Sequence, residues 1–314
     1  MKIVIAGGSG FLGGRLVDHF ETRGFDVVVL TRSPEAVRSP LVRQVAWSPE
    51  ASADASGDAP TPGSWAAALD GADAVVNLAG ASLAGRRWTT AYKQELRRSR
   101  VTSTRALVNA VRAATTRPPV FVQGSAVGYY GTSREGPIDE SCPPGDDFLG
   151  RMCVAWEAEA LPLTALGVRL VILRTGIALA RDGGALQKMA PAFRYFVGGP
   201  LGSGRQYLSW IHRDDWVAMV DWAIEHPDLA GPLNATAPEP ATNAAFSKSL
   251  GRALHRPSWL PVPGFAVRLA VGELATEGLL RGQQVVPARA RELGFVFRYP
   301  DLCAALTAIF ARRV

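Results

Sequence analysis

The chain has 314 residues, of which 47% are hydrophobic and 20% are charged, and its formal net charge is +6. These proportions are ordinary for a folded globular protein and exclude an intrinsically disordered chain. No apolar run approaches the ~18 uncharged residues that a membrane-spanning helix needs, so we expect no membrane partner.

The cysteines and histidines give no sign of a metal site. Cys142, Cys153 and Cys303 are odd in number and widely spaced, which fits neither a disulfide framework nor a zinc site with CxxC spacing. The four histidines form no HxxH or HxxxH pair. We therefore expect no bound metal and a reducing, cytoplasmic location.

The first 180 residues alternate between short β-branched runs and longer amphipathic stretches. The short runs predict strands at 2–6, 26–30, 42–47, 74–78, 120–125 and 169–174, and the stretches between them predict helices at 13–23, 64–69, 88–114 and 148–166. This alternation predicts an α/β fold with a doubly wound parallel sheet, the Rossmann fold. Segment 48–64, rich in Pro, Gly, Ser and Asp, is interpreted as an exposed loop.

Glycines interrupt the chain directly after the first predicted strand. Gly8, Gly10 and Gly13 match G-x-G-x-x-G, and Gly7, Gly10 and Gly13 match the related G-x-x-G-x-x-G. Between a strand and a helix, such glycines let backbone N–H groups approach a pyrophosphate, and the helix N-terminus adds positive potential. The turn therefore predicts a dinucleotide site.

The end of the second predicted strand distinguishes NADP from NAD. An NAD site usually ends this strand with Asp or Glu, which holds the ribose 2′-hydroxyl. Here Thr31 and Arg32 end the strand, and Asp26 lies at its opposite end. A hydroxyl and a guanidinium can bind a 2′-phosphate, so we predict NADP as the cofactor. The alternative is that Arg32 is a solvated loop residue.

Basic residues are concentrated on the predicted helix 88–114. Arg97, Arg98, Arg100 and Arg105 fall on more than one helix face, and the segment lacks the interleaved aromatic residues that stack bases. We interpret these arginines as a solvated face or a local anion contact and expect no nucleic-acid partner.

Beyond residue 180 the alternation weakens. Segments 198–210, 226–243 and 255–264 are rich in loop residues, and helices are predicted at 214–225, 243–254 and 265–280. We interpret residues 1–180 as the NADP-binding Rossmann domain. Residues 181–314 are interpreted as a smaller mixed lobe that contributes to the substrate site and returns in part to the Rossmann sheet.

Several motifs together carry a family resemblance. With the glycine turn, DAVVNLAG, GSAVGYYG, VAWEAEA, VILRTGIAL and LSWIHRDD resemble the extended short-chain dehydrogenases, which include nucleotide-sugar epimerases. NLAGASLAGRRWT, SRVTSTRALV and GGPLGSGRQYLSWIH are most similar to the atypical branch called epimerase family proteins. The resemblance covers nearly all of the chain. It also implies a branch-specific C-terminal segment of unknown role, matched from WLPVP to RYPDL.

The resemblance implies cofactor contacts spread along the chain. It places the cofactor against Gly7, Gly10, Phe11, Leu12, Gly13, Thr31, Arg32, Leu78, Ala79, Gly80, Glu95 and Arg100, with Ile177 near the nicotinamide. Alternatives stay open at three of these positions. Leu78 and Ala79 could belong to the core, and Glu95 could form a surface ion pair with Arg98 or Arg100.

The superfamily's reaction requires a Ser or Thr and a Tyr-x-x-x-Lys pair, and the sequence departs from both. Ala126 stands at the hydroxyl position, Leu149 at the tyrosine and Cys153 at the lysine, whereas Glu157 of the same motif is kept. The lysine lowers the tyrosine pKa, so its loss forfeits about 10²- to 10⁴-fold in proton transfer.

Three nearby hydroxyls are candidate substitutes for the missing pair. They are Ser125 at the end of its strand and Tyr129 and Tyr130 in the following turn. The alternative is that Tyr130 packs under the sheet edge and Tyr129 faces solvent.

Other residues are candidates for substrate contact. Lys188 and Arg205 could bind an anionic substrate, and His212 is a weaker candidate for an acid or base. We expect Asp214 and Asp215 to cap the helix that follows them.

We therefore predict an NADP-dependent oxidoreductase or epimerase that acts on a small polar substrate held between the two parts of the chain. The alternative is a non-catalytic NADPH-binding sensor or regulatory protein. The oligomeric state is left open, with a homodimer as one option.

Overall fold

Alternate residues of the first strand are buried on opposite faces of a parallel sheet. Ile3 and Ile5 pack in one core cluster, and Val4 and Ala6 pack in another. Successive side chains of a strand point to opposite faces, so this strand is covered on both sides. The structure is a computed structural model that describes residues 1–35, 39–52, 63–132 and 134–311.

The strands among these residues are, in chain order, β1 (Lys2–Ala6), β2 (Asp26–Thr31), β3 (Val42–Ala46), β4 (Ala74–Asn77), β5 (Val120–Ala126), β6 (Pro137–Ile138), β7 (Arg169–Thr175), β8 (Ile177–Ala180), β9 (Tyr207–Leu208), β10 (Trp210–His212), β11 (Gly231–Ala235), β12 (Ala241–Thr242) and β13 (Gln284–Val285). The helices are α1 (Phe11–Thr22), α2 (Thr90–Ala113), α3 (Phe148–Ala158), α4 (Pro162–Ala165), α5 (Gly184–Arg194), α6 (Arg213–Glu225), α7 (Asn243–Ala253), α8 (Gly264–Val271), α9 (Ala288–Glu292) and α10 (Leu302–Phe310). Short 3₁₀ turns cover Pro49–Ser52, Ser64–Ala68 and Val127–Tyr130, and a π-helix covers Ala275–Leu279.

The main sheet has seven parallel strands in the order β11-β7-β5-β4-β1-β2-β3. This order is that of a doubly wound Rossmann sheet and confirms the predicted fold class. The strand order reverses between β1 and β4, so a crevice opens at the carboxyl ends of these strands, where ligands bind in such folds. β11 pairs with β7 in this sheet although it lies beyond residue 180. The division of the chain at residue 180 stays a prediction.

The remaining part of the chain builds a lobe with its own core. Leu186 and Phe193 of α5 pack in one buried cluster with residues of α7 and α10, including Phe246, Leu250 and Leu306. In the segment before α9, β13 pairs in parallel with β6 as a separate two-stranded sheet, and Asn234 of β11 in the main sheet donates to the Val286 carbonyl at 3.0 Å. The C-terminal segment therefore contacts both the lobe and the turn that follows β5.

Two predicted helices are wrong in length because the backbone interrupts them. The helix predicted at 148–166 ends at Ala158, and a short second helix begins with Pro162 at its first position. The helix predicted at 265–280 stops before Gly272, whose φ is +67°, a value that favours glycine. Within the loop predicted at 48–64, residues 53–62 lie outside the described residues.

No helix in the described part of the chain has the length and apolar character required to cross a membrane. The same residues contain no group of three or more His, Cys, Asp or Glu side chains that could hold a metal ion.

Candidate cofactor and catalytic site

The glycine turn after β1 is packed tightly on the backbone behind it. A Cβ on Gly13 would come within 2.3 Å of the Gly7 carbonyl oxygen, and one on Gly7, whose φ is +83°, would come within 2.8 Å of the Leu78 carbonyl carbon. A Cβ on Gly10 would meet only the Gly7 carbonyl oxygen, at 3.2 Å. Gly7 and Gly13 therefore serve the turn itself, whereas Gly10 leaves space outside it.

Helix α1 begins directly at this open space. No side chain caps its N-terminus at Gly10, so the first-turn N–H groups, which begin at Phe11 and Leu12, are available to an anion. The Phe11 ring has a different role, because a Cβ on Gly183 would come within 2.3 Å of it. Phe11 thus lies beneath the loop that leads into α5.

The tip of β2 lies beside the glycine turn. Leu30 pairs with Ala6, and the Gly7 N–H donates to the Leu30 carbonyl at 3.4 Å. The next two residues differ in exposure, because Thr31 is buried and Arg32 is exposed. Across the described ranges, the Arg32 guanidinium has no hydrogen bond or ion pair. A cation is therefore available at the position where a 2′-phosphate is expected.

The segment after β4 closes the other side of the turn. The Leu78 N–H donates to the Ala6 carbonyl at 2.8 Å, and the Ala79 N–H donates to the Asn77 side-chain oxygen at 3.1 Å. Leu78 and Ala79 also pack partly buried against the two main core clusters. The structure thus brings these residues to the turn and into the core at once.

Arg100 lies next to this segment and is buried without a carboxylate. A Cβ on Gly80 would lie 3.1 Å from the Arg100 Cγ. The guanidinium donates to the Leu96 carbonyl at 3.0 Å and lies 5.0 Å from the Trp156 ring, but its buried Nε has no hydrogen-bond partner among the described atoms. Burial lowers the pKa of this guanidinium.

Glu95 lies apart from this group. Its carboxylate is 3.6 Å from the Arg86 guanidinium, and Arg98 instead lies 3.2 Å from Glu50. The sequence interpretation of Glu95 as an ion-pair partner of Arg98 or Arg100 is therefore wrong. The cofactor contact of Glu95 stays a prediction.

A buried ion pair lies behind Ser125. Arg174 donates from Nε and Nη2 to the two carboxylate oxygens of Glu157, at 3.0 and 2.9 Å. Ser125 Oγ donates to Glu157 Oε1 at 2.6 Å, because an ionised carboxylate can only accept. The two ion-pair side chains are 5% and 9% exposed. Ser125 therefore directs its one O–H to Glu157 and can only accept from any other group, including the neighbouring Cys153 thiol.

The same guanidinium links the two tyrosines of the 3₁₀ turn. Arg174 Nη1 donates to the Tyr130 hydroxyl at 3.0 Å, and that hydroxyl donates to Asn234 Oδ1 at 2.7 Å. Tyr130 is fully buried, and burial raises its pKa to about 12. The Arg174 Cζ also lies 3.4 Å from the Tyr129 ring centroid. Tyr129 is therefore half-buried under a cation, not fully turned to solvent.

Leu149 and Cys153 occupy the positions where the family motif has its tyrosine and lysine, and neither side chain changes its protonation near neutral pH. Leu149 packs against Gly128, where an added Cβ would lie 3.1 Å from the Leu149 Cβ. Cys153 is completely buried, and burial, with Glu157 adding to it, raises its thiol pKa to about 12. The two residues fill the site with apolar volume.

His212 caps α6 and is buried. Its Nδ1 accepts from the Asp214 N–H at 3.1 Å, and its ring stacks on Tyr299 with 3.9 Å between centroids. Burial lowers the His212 pKa to about 4. The expectation that Asp214 and Asp215 cap this helix is wrong, because Asp215 accepts instead from the N–H groups of Arg298 and Tyr299, both at 2.9 Å.

The two basic candidates for substrate contact lie in the lobe, both exposed. Lys188 donates from Nζ to the Ala84 carbonyl at 2.6 Å and so connects α5 to the loop after β4. Arg205 donates from its backbone N–H to Ser203 Oγ at 3.3 Å, and its guanidinium has no hydrogen bond or ion pair with the residues that the structure describes. Ile177 opens β8, with its N–H donating to the Ser209 carbonyl at 2.7 Å.

Sequence reasoning missed three residues that organise the site: Arg174, Asn234 and Gln283. Gln283 donates from its amide to the carbonyls of Val127 and Gly131, at 3.3 and 2.5 Å. These two residues lie at the ends of the 3₁₀ turn that carries Tyr129 and Tyr130, here called the tyrosine turn. Arg174 carried a signal, since a charged residue inside the apolar run VILRT indicates a buried partner. Asn234 and Gln283 carried none.

Comparisons with known proteins find similar sequences and a similar solved structure over most of the chain. The model of the NAD dependent epimerase/dehydratase family matches residues 3–235, and a domain of unknown function, DUF1731, matches residues 262–309. An epimerase family protein of Mycobacterium leprae is 41% identical over 306 residues, which cover 97% of this chain and 94% of the relative. A chloroplastic epimerase family protein of Arabidopsis thaliana is 41% identical over 98% of this chain and 86% of its own. The crystal structure of human epimerase family protein SDR39U1 with NADPH superposes with a TM-score of 0.86 at 34% identity, covering 99% of each chain.

Proposed function

The chain belongs to the NAD dependent epimerase/dehydratase family, and on this premise we propose that it binds NADP(H) and acts as an oxidoreductase or epimerase on a small polar substrate. The observation that carries the proposal is the exposed Arg32 beside the open glycine turn, whose guanidinium has no partner in the part of the chain that the structure describes. The human relative crystallised with NADPH, similar over nearly the whole chain, supports the same cofactor.

The residues of this site fit a dinucleotide phosphate. The open side of Gly10 and the uncapped start of α1 would hold the pyrophosphate. Arg32 would contact the 2′-phosphate, with Thr31 beside it. The buried Arg100, whose Nε lacks a hydrogen-bond acceptor among the described atoms, adds positive charge beside Gly80. Ile177 is proposed to lie near the nicotinamide.

Bound NADP supplies hydride exchange at the nicotinamide, and the chain supplies the path for the accompanying proton. Ser125 Oγ donates a hydrogen bond to Glu157 Oε1, so a lone pair of this oxygen can accept a hydrogen bond from a substrate hydroxyl. As that hydroxyl releases its proton to Ser125 Oγ, the Ser125 proton can pass to Glu157 Oε1, 2.6 Å away. Arg174 holds the carboxylate in place through two hydrogen bonds. Ser125 is thus our candidate for contact with the reacting oxygen.

Tyr130 is assigned a structural role in this proposal. Its proton is directed to Asn234, and its raised pKa keeps it neutral at physiological pH. Tyr129 lies over Arg174 and would close that side of the site. Lys188 and Arg205, exposed on the lobe, remain our candidates for an anionic group of the substrate, and His212 acts mainly as a helix cap. A cytoplasmic location remains our prediction. The oligomeric state is left open, with a homodimer as one option.

A non-catalytic NADPH sensor is the second candidate. It is favoured by Leu149 and the inert, buried Cys153 at the positions of the family's proton-transfer pair. Turnover separates the two candidates. The purified protein is mixed with NADPH and a panel of carbonyl compounds and nucleotide sugars, and the absorbance of NADPH is followed. Tight NADPH binding without turnover over the whole panel would favour the sensor.

Cofactor choice is tested with Arg32→Ala. Losing a charge-assisted contact to a phosphate should weaken NADPH binding about ten- to hundredfold, while NADH binding changes little. Arg112→Ala, which removes an exposed arginine bonded only to Asn109, is the control and should bind both nucleotides as the unaltered protein does. Equal losses of NADPH and NADH affinity in Arg32→Ala would remove the reason for preferring NADP.

A further inference from the structure

The C-terminal ends of α5 and α7 form an exposed surface that the proposed chemistry does not use. Both helices pack in the core of the lobe, and the segment after α7 runs beside the segment after α5. The surface, here called the basic apolar patch, consists of Arg194, Tyr195, Phe196, Val197, Arg252, Arg256, Trp259 and Leu260.

Contacts show that the patch is continuous. The Arg256 Cζ lies 4.8 Å from the Phe196 ring centroid. The backbones also touch, since a Cβ on Gly199 would come within 2.1 Å of the Leu260 carbonyl oxygen. Further along, the Val262 N–H donates to the Pro200 carbonyl at 2.9 Å. The two segments therefore present their side chains as neighbours.

The patch exposes large apolar side chains to water, which lowers the stability of the folded protein. Tyr195 is 78% and Trp259 71% exposed. Phe196, also exposed, has a φ of +64°, a conformation that is strained for a non-glycine residue. Isolated exposed apolar residues are common, but a contiguous group of five marks an interaction surface.

The charge around the patch has one sign. The sequence contains no Asp or Glu in residues 183–212 or 240–272, although these segments hold seven basic residues: Lys188, Arg194, Arg205, Lys248, Arg252, Arg256 and Arg268. Helix α8 follows the patch in the chain and exposes Phe265, Arg268 and Leu269. The two segments therefore combine aromatic and aliphatic groups with positive charge that no acidic residue within them offsets.

We propose that the basic apolar patch docks on the surface of an anionic lipid bilayer. Tyr and Trp rings are stable at the headgroup level, where one end is apolar and the other is wet. Arginines are attracted by the negative surface potential of anionic lipids. The expectation of no membrane partner rested on the lack of a spanning run, whereas this mode of contact needs no spanning helix and is compatible with the absence of one among the described residues.

Two other occupants fit the patch less well. A second copy of the chain in a two-fold dimer would bring two patches of the same positive charge together, and like charges repel. A single-stranded nucleic acid would stack on the aromatic rings, but it offers no apolar environment for Val197 and Leu260. A bilayer satisfies both the rings and the aliphatic side chains.

The test uses flotation of the full-length protein with vesicles of phosphatidylcholine, with and without phosphatidylglycerol. We expect binding to the anionic vesicles at least about tenfold tighter than to the neutral ones, and weaker binding as salt is raised. Trp259→Ala and the double variant Arg252→Glu with Arg256→Glu should each lose binding about tenfold or more. Val296→Ala and Arg291→Glu, which change an exposed apolar and an exposed basic residue elsewhere, should keep it. Unfolding midpoints confirm that each variant is folded.

A second measurement locates the contact. Brominated phospholipids quench nearby tryptophans, and Trp259 is the most exposed of the tryptophans that the structure describes. Quenching should therefore be lost in Trp259→Phe. The proposal is overturned if the folded protein does not bind anionic vesicles, or if the patch variants and the control variants lose vesicle binding equally. It is also overturned if Trp259→Ala converts a dimer into a monomer, or if an oligonucleotide binds the patch in preference to the vesicles. None of these results depends on NADP binding.

Discussion

The buried ion pair between Glu157 and Arg174 allows a sharp test, because α3 offers an exposed pair two residues away. Glu157→Gln keeps the size of the side chain but leaves the Arg174 charge buried without a counter-charge. The new amide group also points N–H groups at the guanidinium or at Ser125. In the unaltered protein a carboxylate oxygen of Glu157 accepts from these two groups at 2.9 and 2.6 Å. Breaking one partner of a buried pair costs about 3–5 kcal/mol.

Glu159→Gln is the matched control. Glu159 also accepts two hydrogen bonds from one arginine, Arg105, at 2.9 and 2.6 Å. However, the Arg105 side chain is 58% exposed, and exposed pairs contribute at most about 1 kcal/mol. The chemistry of the two substitutions is the same, so the difference between them reports burial.

The assay is thermal unfolding of both variants and the unaltered protein at neutral pH. For a chain of this size, 1 kcal/mol shifts the midpoint by about 2 °C. We expect Glu157→Gln to lower it by about 6–10 °C and Glu159→Gln to lower it by about 2 °C or less. Equal shifts in the two variants would refute the argument that burial, and not pairing alone, sets the cost.

Three further substitutions test the roles of Gly10 and His212, with Gly14 as a control. Gly10→Ala should fold with only a small shift of the Gly7 carbonyl oxygen, which its Cβ would meet at 3.2 Å, but it should weaken NADPH binding in a fluorescence titration. Gly14→Ala, whose Cβ would approach nothing closer than 3.8 Å, should bind as before, and equal effects would disprove the assignment of the open side. The pKa of His212 is lowered to about 4 in the folded protein. Between about pH 6.5 and 4 the imidazole is therefore neutral in the folded state but protonated in the unfolded state. The free energy of unfolding should therefore drop between pH 6.5 and 4, and less so in His212→Asn, which keeps a capping side chain for the Asp214 N–H; parallel pH profiles would contradict this.

Much of the sheet could be predicted from local patterns. β1 has the predicted bounds, and the other five predicted strands differ from the structure by one residue at their ends. Runs of Val, Ile and Leu suffice here because a parallel strand is buried on both faces, so composition alone identifies it. Helices α5 and α10 were not predicted, since their segments lie where the alternation is weak.

The candidate site also has parts that local sequence patterns predict and parts that they do not. The glycine turn and Arg32 are read from adjacent residues, because a strand, a tight turn and a helix form one continuous unit. The cap of α6 was misread, since sequence favours Asp at this place, whereas the imidazole of His212 holds it. The partner of Glu95 was also missed, because Arg86 lies in a loop whose path no periodicity describes.

The positions of six strands of the main sheet, the glycine turn and the basic residue at the tip of β2 were determined by the sequence itself, because each rests on neighbours along the chain. Only the tertiary structure decided that Arg174 joins Glu157, Ser125 and Tyr130, and that Gln283 returns to both ends of the tyrosine turn. These contacts join residues 17 to 156 positions apart. Burial of polar groups requires such partners wherever the fold brings them together, and a linear pattern carries no record of where that is.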